Sequence, residues 1–469
     1  MVENKTDKKN KSSKEVKEYT MEEVRQAAKE GLIWLVIDGM VLDVSKWMPL
    51  HPGGGMILKN LAGRDASEPF HGFHPSHVEE RMRKFQIGVV TDAELTQVEV
   101  EFAEMKQQMK DEGMFVIQPW YFLTLFIRIM AMFAFGLWCV FWGKGKSVEL
   151  QLFGSFMIGF FWQQMSLMAH DTCHNSMSHN RLFDYTFSVT LSSLLGVSPS
   201  WWKDSHNIHH VIPNSAVHDP DIQHMPAMAV DNRFFNSLYS LYHFREHTWD
   251  ALSKFLISYQ HWVFLPLMAV ARVNLYIQSY LFLFGVMKGQ RSKDFRIGGI
   301  ISLALFWVWY GYTMMQLPTF MTQFLFFLIS HSFSGILHVQ ICISHFSMEV
   351  REDIPYLNDD ETWVHWQLAT TMDVDCSPMM DWFHGGLQYQ IEHHLFPRMP
   401  RPHLRRCMEE FIVPFCKKHN IHHHKPSFYQ ATVETILHLK KVAMEARDSN
   451  VGDVKLTETP LWEAVNAYG

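Results

Sequence analysis

Cysteine is scarce in this 469-residue chain, and what there is follows no pattern. The six thiols, Cys139, Cys173, Cys342, Cys376, Cys407 and Cys416, show no paired spacing. That argues against a disulfide framework and fits a reducing compartment for the soluble parts. An excess of positive charge is also missing. The 41 Lys and Arg against 48 Asp and Glu leave a net charge of −7, which argues against a general nucleic-acid binder. The Lys-rich first 18 residues hold no apolar core, so no cleavable signal peptide is visible and a disordered basic tail is expected. Mean hydropathy is only −0.08, although 48% of residues are hydrophobic, with 36 Phe, 29 Met and 16 Trp. The average conceals a partition between charged ends and an apolar middle.

Histidine, by contrast, is abundant at 28 residues. Three clusters stand far apart: His170-Asp-Thr-Cys-His174, His206-Asn-Ile-His-His210 and Gln390-Ile-Glu-His-His394. Spacings of three and four put the imidazoles of each on one helix face, where several can close on a metal. A His-x-x-x-His pair alone carries little weight, since about two are expected by chance, and His243/His247 and His419/His423 are further examples. A full His-x-x-His-His arises by chance only about 0.1 times in such a chain. Imidazole suits iron, copper, zinc and nickel alike, so the metal is left open. The first two clusters adjoin apolar stretches, which sets the expected site at a membrane surface. His422-His-His424, on a Lys-rich tail, is expected to be solvated.

Near the N-terminus, Thr20-Met-Glu-Glu23 reads as a capping box, with Gly31 placed to end the helix. Two short strand-like runs flank Asp38-Gly39, a hairpin signal. His51-Pro-Gly-Gly54 then sets a histidine on a tight turn, and Phe73-His74-Pro75 follows. Two such histidines facing each other would ligate haem iron from both sides and leave no open position, which favours electron transfer over oxygen chemistry. Residues 19–92 resemble a cytochrome b5 domain. The resemblance rests on the Trp34-Leu-Val-Ile-Asp-Gly run, the His-Pro-Gly-Gly turn, Ala62-Gly-Arg-Asp-Ala-Ser67, the Phe70 to His74 stretch and Ile87-Gly88. It implies haem b with His51 and His74 as axial ligands; His71 and His77 do not match the family position. Residues 93–113 read as a helical linker.

Four apolar stretches are long enough to span: Trp120–Trp142, Leu150–Ala169, Ile297–Met315 and Phe320–Ser344. Helices satisfy the backbone in lipid, and Trp and Tyr near the ends fit interfacial belts. With the haem-type domain in the cytosol, two crossings return the first cluster to that side. Phe183–Gly196 must then lie in the interface or the bundle if the first two clusters share a metal, and Trp262–Met287 reads as a partly embedded segment. His331, His338 and His345 recur every seven residues. The first two are expected to be bundle histidines hydrogen-bonded to Ser or backbone, whereas His345 is the better ligand.

These parts suggest a polynuclear imidazole site at the cytosolic surface, fed electrons by a tethered haem and flanked by helices that admit an acyl chain. Those are the requirements for oxidising an unactivated C–H bond with O₂, chemistry that needs a metal-based oxidant. Asp171, Asp204, Asp219, Asp221 and Asp381 are candidates to orient ligand imidazoles. Trp201, Trp202 and Lys203 read first as interfacial anchors, second as the channel mouth.

From about residue 114 to 440 the chain resembles a membrane fatty acyl desaturase, and with the fused haem domain a front-end desaturase. The carrying stretches are the first cluster, Trp201 to His210 running on to His218-Asp-Pro-Asp221, and Asp381 to Pro397 with Gln390 where most desaturases have His. The resemblance implies two non-haem irons held by His170, His174, His206, His209, His210, His393 and His394. Gln390 stands at the third box's first position, and His345 matches an extra family histidine. Cys173 departs from the family, which often has Gly there. The implied fold is mainly α, a small α+β haem domain fused to an all-α four-span membrane domain with a cytosolic helical cap. The membrane domain covers 114–440, before a 441–469 tail. The implied reaction inserts a cis double bond into an acyl-CoA or phospholipid, using O₂ and electrons from NADH through a cytochrome b5 reductase. The implied location is the endoplasmic reticulum membrane, with both termini and the site facing the cytosol. A sphingolipid long-chain-base desaturase, a hydroxylase and a membrane-anchored electron carrier are the rival readings.

Overall fold

A computed structural model describes residues 17–285, 296–352 and 361–450. Of the basic tail expected over residues 1–18, residues 1–16 lie outside the described residues, as does the chain from 451, and Glu18 already belongs to the first strand. The N-terminal unit is built on a four-stranded sheet of order β1-β4-β3-β2, with β1 Glu18–Tyr19, β2 Trp34–Ile37, β3 Met40–Asp43 and β4 Gln86–Val90. Ile37 faces Met40 across the β2–β3 turn, where Asp38 and Gly39 both take positive φ, 50° and 73°. That geometry matches the strand twist and selects the Asp-Gly pair. The Met21–Lys29 helix opens with the expected capping box between Thr20 and Glu23.

The core of this unit does not stop at its own boundary. Leu35, Leu42, Leu58 and Phe70 pack in one cluster with Ile208, Val211 and Ile212 of the second histidine segment. The haem-type domain is therefore docked on the membrane domain, where the sequence suggested only a tether. The stretch expected to link the two is a helix, Gln97–Asp111. Phe102 and Met109 enter a core with Phe396 and Leu404, while Lys106 pairs with Glu68 at 2.7 Å.

Among the described residues, three helices are long and apolar enough to cross a membrane: Pro119–Gly143, Arg296–Met314 and Phe320–Cys342. A fourth, Val148–Cys173, has 26 residues, about 39 Å at the helical rise. Gln151, Gln163 and Gln164 lower its apolarity, and all three are buried. Gln151 Nε2 donates to Gln316 O at 3.1 Å, and Gln163 Nε2 to Gln340 Oε1 at 2.9 Å. Polar side chains in lipid must find such partners inside the bundle. Small residues let these helices touch: a Cβ on Gly154 would meet Gly136 O at 2.7 Å, and one on Gly159 would collide with Ser330 O. Trp120, Trp262, Ile297 and Phe320 all stand more than 70% exposed, as lipid-facing and interfacial residues do.

The Phe183–Gly196 stretch forms the helix Arg181–Leu195, about 22 Å long and short of a ~30 Å hydrocarbon core. Trp262 onward is likewise broken into Gln260–Val270 and Arg272–Leu283. Arg272 is fully buried: Nε donates to Tyr276 at 2.8 Å, Nη1 to Ser334 Oγ at 3.2 Å, Nη2 to Leu195 O, and the guanidinium lies 4.6 Å from the Trp162 ring centre.

Candidate metal centre

The second cluster rides on the Pro199–Val211 helix, started by the Ser198 cap and Pro199. The first closes the Val148–Cys173 helix, with His174 as its C-cap. The third lies on the short Gln390–Leu395 helix, and His345 follows the Ile336–Cys342 helix. Folding brings them together. His170, His174, His206, His210 and His393 hold their ligand nitrogens within 4.8 Å of one another, and His209, His345 and His394 form a second such group. The groups adjoin, with the His210 and His394 rings stacked at 4.2 Å.

Nitrogens that would repel as bare neighbours face one another. His206 Nε2 and His210 Nε2 are 3.0 Å apart, and His209 Nε2 and His345 Nε2 3.3 Å. Among the described residues, Nε2 of His170, His174 and His393 have no hydrogen-bond partner. Burial, reinforced by the neighbouring histidines, holds His174, His206, His210, His345, His393 and His394 well below the usual imidazole pKa. They are thus kept neutral, the form that ligates. Burial also lowers His209, but Asp219 and Asp221 outweigh it and raise its pKa. Buried, neutral imidazoles with unpartnered inward nitrogens form a donor set that fits two transition-metal ions.

Several residues fix these rings from behind. Asp219 Oδ2 accepts from His209 Nδ1 at 2.9 Å, and Asp221 Oδ2 lies 3.1 Å from His206 Nδ1. Asp171 pairs with Arg401 at 2.7 Å and also lies 3.9 Å from His170 Nδ1. Asp381 accepts from Arg405, Gln388 and Tyr389, bracing the third segment without touching an imidazole. Sequence reasoning missed Gln367 and Thr370. Gln367 Oε1 bonds His394 Nδ1 at 3.0 Å, and its amide donates to His210 O at 2.9 Å; Thr370 O accepts from His345 Nδ1 at 3.2 Å. Both lie on the Trp363–Thr370 helix, which carries no motif to signal them.

Gln390 sits inside the site, its Nε2 3.4 Å from both His345 Nε2 and His394 Nε2, its Oε1 unpartnered. Turning the amide over would direct the oxygen at the same place. His331 and His338 stay away in the bundle, bonded to the carbonyls of Phe327 and Met268 at 2.8 and 3.1 Å. Cys173 is buried and bonds Ser188 Oγ at 3.7 Å.

Two expectations require correction. Trp201 to Lys203 do not anchor at an interface: Trp201 is buried, Trp202 stacks on His206 at 4.1 Å, and Lys203 Nζ donates to Cys173 O. Trp202, one turn before His206, walls the site, whereas Trp201 turns into a separate apolar cluster with Phe282 and Leu303. His423 is not solvated either; its side chain is 10% exposed and Nε2 lies 2.9 Å from Asp373 Oδ2.

In the N-terminal unit, the rings of His51 and His74 stand 6.0 Å apart. Nδ1 of each is bound to backbone, His51 to Gly54 O at 2.7 Å and His74 to Phe70 O at 3.0 Å, so an axial bond would run through Nε2. Burial, with His51 beside it, brings His74 down to about 4. This pair fits a haem iron between two neutral imidazoles. Next to His74, the Phe73 ring meets the His210 ring edge-on at 6.0 Å, and Asn207 donates to Gly53 O at 3.4 Å.

Comparison with known proteins agrees with both halves. Residues 148–427 match the family described as Fatty acid desaturase, and residues 20–91 the Cytochrome b5-like Heme/Steroid binding domain. Delta(8)-fatty-acid desaturase 2 of Arabidopsis thaliana is 37% identical over 96% of this chain and 98% of its own length. Acyl-lipid (9-3)-desaturase of Borago officinalis is 35% identical over 97% and 99%. A Delta 8-(E)-sphingolipid desaturase of Komagataella phaffii is 28% identical over 90% and 93%.

Proposed function

Because the chain belongs to the fatty acid desaturase family and carries a cytochrome b5-like domain ahead of it, we propose that it is a front-end desaturase. It inserts a cis double bond into a polyunsaturated acyl chain, between the carboxyl end and an existing double bond. The observation that carries this reading is the pair of adjoining imidazole groups, with Gln390 set against His345 and His394 of the second. Relatives that are named desaturases over nearly their whole length support it.

His170, His174, His206, His209, His210, His345, His393 and His394 are the residues that would hold two non-haem irons, with Gln390 through its amide oxygen. Such a centre supplies what no side chain can, oxidation of an unactivated methylene by O₂. The protein's part is to keep these imidazoles buried and oriented, and all but His209 neutral. Asp219, Asp221, Gln367 and Thr370 O fix the rings, and Trp202 stacks on His206. Reducing equivalents enter at the N-terminal domain from NADH through a separate cytochrome b5 reductase, and Phe73 brings that domain against the ligand His210. The site faces the cytosol from the endoplasmic reticulum membrane.

Expression in yeast fed C18 and C20 polyunsaturated acids tests this, beside a His206→Ala control. A new double bond on the carboxyl side of an existing one, absent from the control, is the expected product. The Komagataella relative favours one second reading: new unsaturation confined to long-chain bases would replace the acyl assignment. Haem without further iron in the purified protein would leave only an electron carrier.

A further inference from the structure

Behind the third histidine segment lies a cluster that the desaturase reading does not use. Asp373, Glu392 and His423 hold their ligand atoms within 4.8 Å of one another. They come from three separate stretches: the chain after the Trp363–Thr370 helix, the Gln390–Leu395 helix, and the loop before the Phe428–Asp448 helix. Glu392 sits two residues from Gln390 and next to His393, so helical spacing turns it away from the face they present. One short helix thus shows imidazoles to the desaturase site and a carboxylate to its back.

The unusual feature is Glu392 itself. Its side chain is fully buried, and among the described residues no N–H or hydroxyl donor reaches Oε1 or Oε2; its polar neighbour is the Asp373 carboxyl. Asp373, also fully buried, is half committed: Oδ1 accepts from Ile391 N at 2.9 Å and Oδ2 faces His423 Nε2 at 2.9 Å. The nearby Lys425 ammonium pairs with Asp375 at 3.0 Å. Two carboxyls buried this close cannot both ionise without a cost in repulsion and lost hydration, and burial beside Asp373 raises Glu392 well above the usual carboxylate range. A single divalent ion removes that cost and uses the idle oxygens.

We propose that Asp373, Glu392 and His423 form a third non-haem metal site, distinct from the desaturase centre, that takes one divalent first-row transition cation. An imidazole beside two carboxylates suits zinc, manganese or ferrous iron and disfavours magnesium and calcium. Cys407 and Cys416 are buried close by, and Glu392 and Asp373 add to the burial that raises both thiols. The ion's role is structural, tying the loop at His423 and the stretch at Asp373 to the helix that carries His393 and His394.

The test is the metal content of the full-length protein purified in detergent, measured by mass spectrometry and normalised to haem. His423→Ala and the milder His423→Gln should each lose one metal ion per haem relative to wild type. His206→Ala, which strikes the other centre, should keep that ion. The difference between wild type and the His423 variants reads this site even if the desaturase centre takes up no iron, so the two failures are distinguishable. As a second measurement, chelator-stripped wild type titrated with zinc should bind one equivalent more than stripped His423→Gln. Equal metal content and equal zinc uptake in wild type and both His423 variants would overturn the proposal and leave a proton shared between the two carboxyls.

Discussion

Asp219 carries the sharpest consequence. Three donors converge on this fully buried carboxylate: His209 Nδ1 at 2.9 Å and Asn214 N at 2.7 Å on Oδ2, and Asp221 N at 2.9 Å on Oδ1. Asp219→Asn keeps the volume but replaces one acceptor by an NH₂ that must face a donor. If the amide nitrogen turns toward Asp221, His209 loses only the charge of its partner. If it turns toward His209, the ring loses its bond and its tautomer. Loss of such an orienting bond lowers metal affinity about 10- to 100-fold, which is about 1.4–2.7 kcal/mol. The stranded donor adds about 1–3 kcal/mol of destabilisation. The haem in the same chain is a built-in reference, so the assay is iron per haem after dialysis against graded concentrations of a ferrous chelator. Asp219→Asn should release iron at 10- to 100-fold lower chelator strength while haem absorbance is unchanged. Retention within twofold of wild type would refute the claim that Asp219 sets the His209 ring. Parallel loss of haem would mean general unfolding instead.

Other outcomes follow from the same geometry. His74→Ala should abolish haem absorbance and cut product formation at least tenfold while non-haem iron, measured by mass spectrometry, stays at the wild-type level. Arg272→Met should strand the Leu195 carbonyl and the Ser334 hydroxyl, while the Tyr276 hydroxyl keeps His331 Nε2 at 3.2 Å. At about 1–3 kcal/mol for each group left unsatisfied, its unfolding midpoint in detergent should fall by several degrees. Gly159→Val must push the Val148–Cys173 helix away from Ser330, and overpacking of about 1–3 kcal/mol should appear as a lower midpoint, whereas Gly311→Ala, with nothing within 4 Å of the added Cβ, should show no such loss.

Much of the site was legible because helical spacing is a local property. Three- and four-residue intervals place His206, His209 and His210 on one face whatever the tertiary fold, and the Asp-Gly turn and Thr20 cap are equally local. Gln367 was invisible because a lone glutamine on a helix has no periodic signature; only the packing of Trp363–Thr370 beneath His394 gives it a role. Lys203 and His423 were misjudged for a related reason. Charged and polar residues in a Lys-rich or interfacial context are usually wet, and burial by a distant segment overrides that tendency. The Val148–Cys173 helix lies between these cases: its length was readable, but its glutamines made sense only once Gln316 and Gln340 were beside them.

The seating of the N-terminal domain on the second histidine helix has a kinetic consequence. With Phe73 held against His210 and the backbone at Gly53 bonded to Asn207, donor and acceptor never have to search for each other. Intramolecular placement of this kind replaces a collision by a fixed local concentration, so the rate of internal electron delivery is first order and indifferent to how thinly the protein is spread through its membrane. The same contact closes the face to outsiders. A free carrier of the same fold, however abundant, finds that berth already taken.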